Sequence, residues 1–122
     1  MLIRRSILTV ADNSGAKNLR IIGIGKGSGR RFVGIGDVVT CTVFGASPIG
    51  QVKDHEIVQA VIVRTRKETR RRDGSYIRFS DNAAVIIDAS KVPRATRIFG
   101  PVAQEIKNKG FSKIASLAKE VV

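Results

Sequence analysis

The chain has 122 residues, 43% of them hydrophobic, and carries 22 Lys+Arg against 10 Asp+Glu, a net charge of +12. That length is expected to make one domain, 1–122, with a modest core, and so large a positive surplus points to an acidic partner, most commonly nucleic acid. One cysteine, Cys41, and one histidine, His55, exclude an intrachain disulfide and a zinc cluster, so no metal or cofactor is expected.

The N-terminus, MLIRRSILTV, has a basic pair and an apolar stretch, but Asp12 and Asn13 soon break it, so no signal peptide is expected, and with no amphipathic basic helix and no apolar run near 18 residues no membrane partner is expected either. Ser6 to Ala11 alternates as a strand, and Asp12-Asn13-Ser14-Gly15 is a turn cluster whose side chains bond their own backbone. Leu19 to Ile24 is a second strand, followed by GIGKGSGRR. That stretch lacks the Gly-Lys-Ser/Thr close of a P-loop and leads into no helix pattern. Its glycines allow close approach either to a phosphate backbone or to a neighbouring strand at a bend. In the first case Lys26, Arg30 and Arg31 are phosphate contacts.

Gly36-Asp37 turns into a strand ending at Phe44, with Val39, Cys41 and Val43 facing one way and Val38, Thr40, Thr42 and Phe44 the other. Cys41 reads as a small buried residue. Gly45 to Glu56 is a loop, and His55, in KDHE, has no cysteine or serine partner.

Ala60 to Ile87 is the most informative stretch. A strand over Ile57–Arg66 starts apolar and ends charged, with Val61, Val63 and Thr65 on one face and Ile62, Arg64 and Arg66 on the other. Asp73-Gly74 supplies the positive φ of a tight turn, and Ser75–Phe79 returns with Ile77 and Phe79 on one face. The pattern predicts a basic β-ribbon over about 64–80 bearing Arg64, Arg66, Lys67, Arg70, Arg71, Arg72 and Arg78. A charge run is often only a solvated surface. Here the charges are mostly arginine, which forks onto phosphate oxygens, and they sit on an ordered hairpin in a chain that is basic throughout. Ala83–Asp88 is the last strand. Five strands at short spacing suggest a small closed or partly closed barrel over about 1–90.

The remainder, about 91–122, changes character. KVPRATRIFGP is basic and irregular. Val102 to Lys109 has helical spacing, with Pro101 in the first turn and Gly110 as the stop, and Ser112 to Val121 places Ile114, Leu117, Ala118 and Val121 on one helical face with Ser112 as N-cap. Two such short helices need the barrel for their apolar faces. The fold class expected is mainly β: a small five-stranded β-barrel with a projecting β-ribbon and two short C-terminal helices.

Ala60, the triplet Val61-Ile62-Val63, a nine-residue gap, Asp73-Gly74, then Phe79, Asn82, Val85 and Ile86 form a long signature. Val10 to Lys17, Gly36-Asp37-Val38 and Thr96 to Pro101 accompany it. With these motifs the whole chain resembles the bacterial member of the universal large-subunit ribosomal protein family numbered fourteen. The resemblance implies a barrel with a ribbon, binding to large-subunit ribosomal RNA (Lys17 joining the basic candidates above), and a cytoplasmic place in the ribosome at the subunit interface. There it implies contact with a neighbouring large-subunit protein (the nineteenth), with small-subunit ribosomal RNA and with a ribosome-silencing factor. Thr96, Arg97 and Lys113 are the matching positions for the silencing factor, and Arg94 and Phe99 lie on the same interface segment. Two departures stand out: Ala95 replaces a usual glycine, implying strain if φ is positive there, and Lys119 replaces a usual proline, implying a longer second helix.

The leading function is therefore a structural RNA-binding protein that acts by charge neutralisation and shape fit, with no catalysis. A free single-strand chaperone would need a row of exposed aromatics, and the chain has one Tyr and five Phe, of which Phe44 and Phe79 are at least partly committed to the core. No paired nucleophile and base supports an enzyme; Asp37, Asp81 and Asp88 read as structural carboxylates at turns and strand ends.

Overall fold

The computed structural model describes residues 2–24 and 32–122. The strands are β1 (Ile7–Val10), β2 (Asn18–Ile24), β3 (Val38–Phe44), β4 (Ile57–Arg64), β5 (Thr69–Arg70), β6 (Tyr76–Ile77), β7 (Ala83–Ile87), β8 (Pro101–Val102) and β9 (Glu120–Val121). The helices are α1 (Glu105–Asn108) and α2 (Ser112–Leu117). A closed barrel runs β1-β2-β3-β4-β7, antiparallel throughout except where β1 and β7 pair in parallel. The expected five-stranded barrel, ribbon and two short helices are all present.

Alternation builds the barrel. In β3, Val39, Cys41 and Val43 are buried inside, while Val38, Thr40, Thr42 and Phe44 face out and stay partly covered. Leu8, Leu19, Ile21, Ile62 and Ile86 complete the same interior. Burial pushes the Cys41 thiol up to about 12, because a thiolate has no water to solvate it there. β7 and the second half of β4 carry continuous apolar runs because both their faces are covered, whereas Ile57 and Gln59 at the start of β4 are exposed. Their outward residues Val61, Val63, Ala83, Val85 and Ile87 pack with Val102, Ile106, Phe111 and Ile114 of the C-terminal portion. Ile106 and Ile114 are fully buried; each contributes roughly 1.5–3 kcal/mol, which holds two helices too short to persist alone.

The C-terminal elements are shorter than their spacing predicts. Pro101 and Val102 are not the first turn of a helix. They pair in parallel with Glu120 and Val121, and Ala103 N donates to Val63 O at 3.3 Å, so sheet partners claim this segment and α1 starts only at Glu105. Ser112 is the first residue of α2 rather than its cap; Phe111 holds that position, with no side-chain cap hydrogen bond. Lys119 does not lengthen α2, because Ala118 turns to extended backbone (φ −75°, ψ 141°) and feeds β9, which takes Val121 out of the helix. Ala95 is buried and carries no positive φ, so the residue imposes no strain; the left-handed positions in this segment fall on Lys91 (φ 63°) and Gly100 (φ 77°).

Candidate nucleic-acid interface

β4 leaves the barrel at a register shift between Ile62 and Arg64, the kind of irregularity that re-aims a strand. Beyond it the two arms of the ribbon are tied together. Phe79 N donates to Thr65 O at 2.9 Å and Arg66 N to Asn82 Oδ1 at 2.8 Å. Thr69 pairs with Ile77 and Arg70 with Tyr76. At the tip, Gly74 takes φ 89° with open space where a Cβ would lie. Asp73 Oδ1 accepts from the Ser75 hydroxyl (2.6 Å) and the Ser75 N–H (2.9 Å), and these bonds hold its carboxyl below the usual range.

The ribbon's cations divide into two sets. Arg66, Lys67, Arg70, Arg72 and Arg78 are exposed. Among the described residues Arg66, Arg70 and Arg72 make no ion pair. Lys67 pairs with Glu68 at 2.8 Å in the open, and Arg78 lies within electrostatic range of the same glutamate. Arg71, just past the end of β5, turns inward. Its Nε lies 3.0 Å from Glu105 Oε1, and its Nη2 donates to Val122 O at 2.6 Å.

Arg64 departs furthest from the expected RNA contact. It is 8% exposed. Nε and Nη2 donate to Asp81 Oδ1 (3.0 Å) and Oδ2 (3.2 Å), while Nη1 donates to the carbonyls of Phe99 (2.9 Å) and Pro101 (3.0 Å). Four of a guanidinium's roughly five N–H groups are thus used inside the chain. A Cβ on Gly100 would sit 2.5 Å from Arg64 Nη1, so glycine is what admits the guanidinium. Arg64 is a strut joining the ribbon base to the C-terminal segment.

That segment is a second ordered surface. Asn13 Oδ1 accepts from Thr96 N (3.0 Å) and Arg97 N (2.9 Å), and Asn13 Nδ2 donates to Thr96 Oγ1 (3.0 Å). Phe99 N donates to Ala11 O at 2.6 Å. Ile98 is buried, so Thr96, Arg97 and Phe99 stand exposed around it. Lys113 is exposed on α2, whose Ile114 packs in the same cluster as Ile98. Arg94 pairs with Glu56 at 3.0 Å, which lowers the Glu56 pKa. Lys17 is exposed beside β2, away from the ribbon in sequence. Lys26, Arg30 and Arg31 lie outside the described residues.

Spacing alone reveals little of what organises this surface. The Asp12-Asn13 turn is legible, and Asp12 Oδ1 does accept from Ser14 N as an Asx turn should. The second Asp12 oxygen reaches Ile86 N at 3.1 Å, and Asn13 reaches across to Thr96; neither partner is local. Asp37, Asp81 and Asp88 are structural, Asp88 by accepting from Ser90 N and Val92 N. Among the described residues no group of carboxylates, cysteines and histidine could hold a metal ion. A family model described as ribosomal protein L14p/L23e matches residues 1–122.

Proposed function

The chain belongs to the ribosomal protein L14p/L23e family and is a structural protein of the large ribosomal subunit, a component of the cytoplasmic ribosome; on that footing we propose that its ribbon binds large-subunit ribosomal RNA through phosphate contacts. The observation that carries this is the division of the ribbon's arginines. Arg64 and Arg71 anchor it, and Arg66, Arg70 and Arg72 are left exposed without an ion pair among the described residues. Arginines held on a rigid support lose less entropy when they fork onto phosphate oxygens. Such contacts release counterions and position the protein without reading sequence. Tyr76 is the ribbon's one fully outward aromatic, so recognition is by shape and backbone rather than base stacking. Lys17, Lys67 and Arg78, with Lys26, Arg30 and Arg31, extend the same phosphate-binding set.

The exposed residues of the clamped segment, Arg94, Thr96, Arg97 and Phe99, together with Lys113, face partners at the subunit interface in this reading. Those partners are the neighbouring large-subunit protein (the nineteenth), small-subunit ribosomal RNA and the ribosome-silencing factor.

The test replaces Arg66, Arg70 and Arg72 with Ala and measures affinity for deproteinised large-subunit ribosomal RNA across a salt series. The slope of log affinity against log salt should flatten by roughly 0.7–0.9 for each phosphate that is no longer neutralised, with thermal stability unchanged. An unchanged slope would assign these arginines to another surface. Hydroxyl-radical footprinting supplies the specificity: a discrete protected patch that survives higher salt is expected, and diffuse protection that vanishes with salt would reduce the ribbon to generic charge attraction.

A further inference from the structure

On the barrel wall β2 lies between β1 and β3. A tight turn precedes β1: Ser6 N donates to Ile3 O at 3.1 Å, and Ile3 N donates to Ser6 Oγ at 3.0 Å. Arg4 and Arg5 occupy its two central positions. The turn is stitched to β2, because Arg5 N donates to Ile21 O (2.7 Å) and Ile21 N donates to Ser6 O (3.0 Å). Arg5 takes φ 72°, a conformation that disfavours a residue with a Cβ and that glycine or asparagine would adopt with less strain. His55 and Lys91 share this conformation, so it marks the turn, and the case for a site rests on the charges gathered beside it.

Arg20 stands on the outward face of β2 opposite Ile7. Its guanidinium lies 5.6 Å over the Phe44 ring of β3, which fixes its plane. Arg4, Arg5 and Arg20 line one concavity together with Ile21 and Ile22. None of the lining residues is acidic, and among the described residues none of the three arginines makes an ion pair. Around it, Ile7 is 51% and Ile22 44% exposed.

We propose that Arg4, Arg5 and Arg20 form a second phosphate-binding site, for the backbone of a segment of ribosomal RNA other than the one on the ribbon. Three cations gathered in one hollow repel one another, and an anion placed among them relieves that repulsion. Arginine rather than lysine at all three positions suits the forked geometry of a phosphate. The flanking isoleucines offer flat aliphatic contact to ribose and no stacking platform for bases. In sequence, β2 is followed by Lys26, Arg30 and Arg31, which lie outside the described residues and form no part of the proposed site. The site rests on the proposed RNA binding and extends it to a second face, so the protein ties two RNA segments together.

The test uses the full chain carrying Arg4→Ala, Arg5→Gly and Arg20→Ala, in which Arg5→Gly keeps the positive φ and relieves its strain. Binding to deproteinised large-subunit ribosomal RNA is measured across a salt series beside the wild type and a control, Lys53→Ala, Lys107→Ala and Lys119→Ala, with the same loss of charge elsewhere. The site predicts a slope flatter by roughly 2, an undiminished melting temperature, and a control close to wild type. A charge-preserving variant carrying Arg4→Lys, Arg5→Lys and Arg20→Lys should keep the slope and lose affinity, since charge remains and the fork does not. A triple-alanine/glycine variant with wild-type slope, or a control that loses as much, overturns this site alone. Failure of the wild type to bind the RNA at all overturns the ribbon reading as well. Wild-type binding to vesicles of phosphatidylcholine and phosphatidylserine that the variant loses, with the RNA slope unchanged, overturns the RNA site in favour of a lipid surface.

Discussion

A single guanidinium decides whether the charged end of β4 belongs to the solvent or to the fold. Arg64 is buried, paired with Asp81 and bonded to two carbonyls 35 and 37 residues further along the chain. Removing it strands an aspartate and two carbonyls together. Arg64→Ala should therefore lower the unfolding free energy by roughly 2–4 kcal/mol, discounted because the Asp81 side chain is 37% exposed. Arg64→Lys should recover less than half of that, since an ammonium cannot reach a carboxylate and two carbonyls in one plane. Urea unfolding measures both, and a loss below about 0.5 kcal/mol, the range of an ordinary surface change, would deny the strut. The same residue shows why charge runs mislead. Alternation places Arg64 and Arg66 on one face, and local sequence holds no trace of the carbonyls of Phe99 and Pro101 that separate their roles.

The elements differ in how far their own residues specify them. β1 and β3 are visible as alternation, and β2, β4 and β7 as apolar runs, because the barrel interior and the helical layer impose those patterns directly. The ribbon is visible through Asp73-Gly74. The C-terminal pieces are not: helical spacing at Val102, Ile106 and Lys109 survives, yet Pro101–Val102 is held by β9, a partner too short to recognise. The clamped segment is a similar case, since its order comes from Asn13 across a separation of 83 residues. Replacing Asn13 with Ala deletes three hydrogen bonds at once. Amide exchange at Thr96 and Arg97 should accelerate roughly 10-fold or more, at about 1 kcal/mol per bond, while amides of β4 keep their protection. Asn13→Asp keeps the acceptor and should fall between. Unchanged exchange at Thr96 would mean the segment is ordered by Ile98 burial alone.

At the level of the whole molecule, Cys41 is buried within the apolar barrel interior, and the stability of that interior is linked to alkali. The thiol ionises near 9.0 when unfolded and at about 12 when folded. Between those values the folded state holds a proton that the unfolded state has released. The contribution is therefore fully present below pH 9 and falls by about 1.4 kcal/mol per pH unit above it, until the folded thiol itself ionises. Cys41→Ala should lack that slope, so the difference between wild-type and variant urea midpoints should change with pH only above about 9; parallel profiles would place the thiol in contact with water. Native Cys41 should likewise resist thiol reagents until denaturant is added. The barrel's closure bears on how the chain is made. β1 finds its parallel partner only in β7, with Thr9 beside Ala83, so the barrel's first strand must wait for the barrel's last. During that interval β1 keeps an open edge, and the arginine ribbon leaves the tunnel before the barrel that carries it can shut. Sequence-distant pairing of this kind folds slowly. The newborn chain is thus a polycation first and a folded protein second, made by a machine largely composed of polyanion.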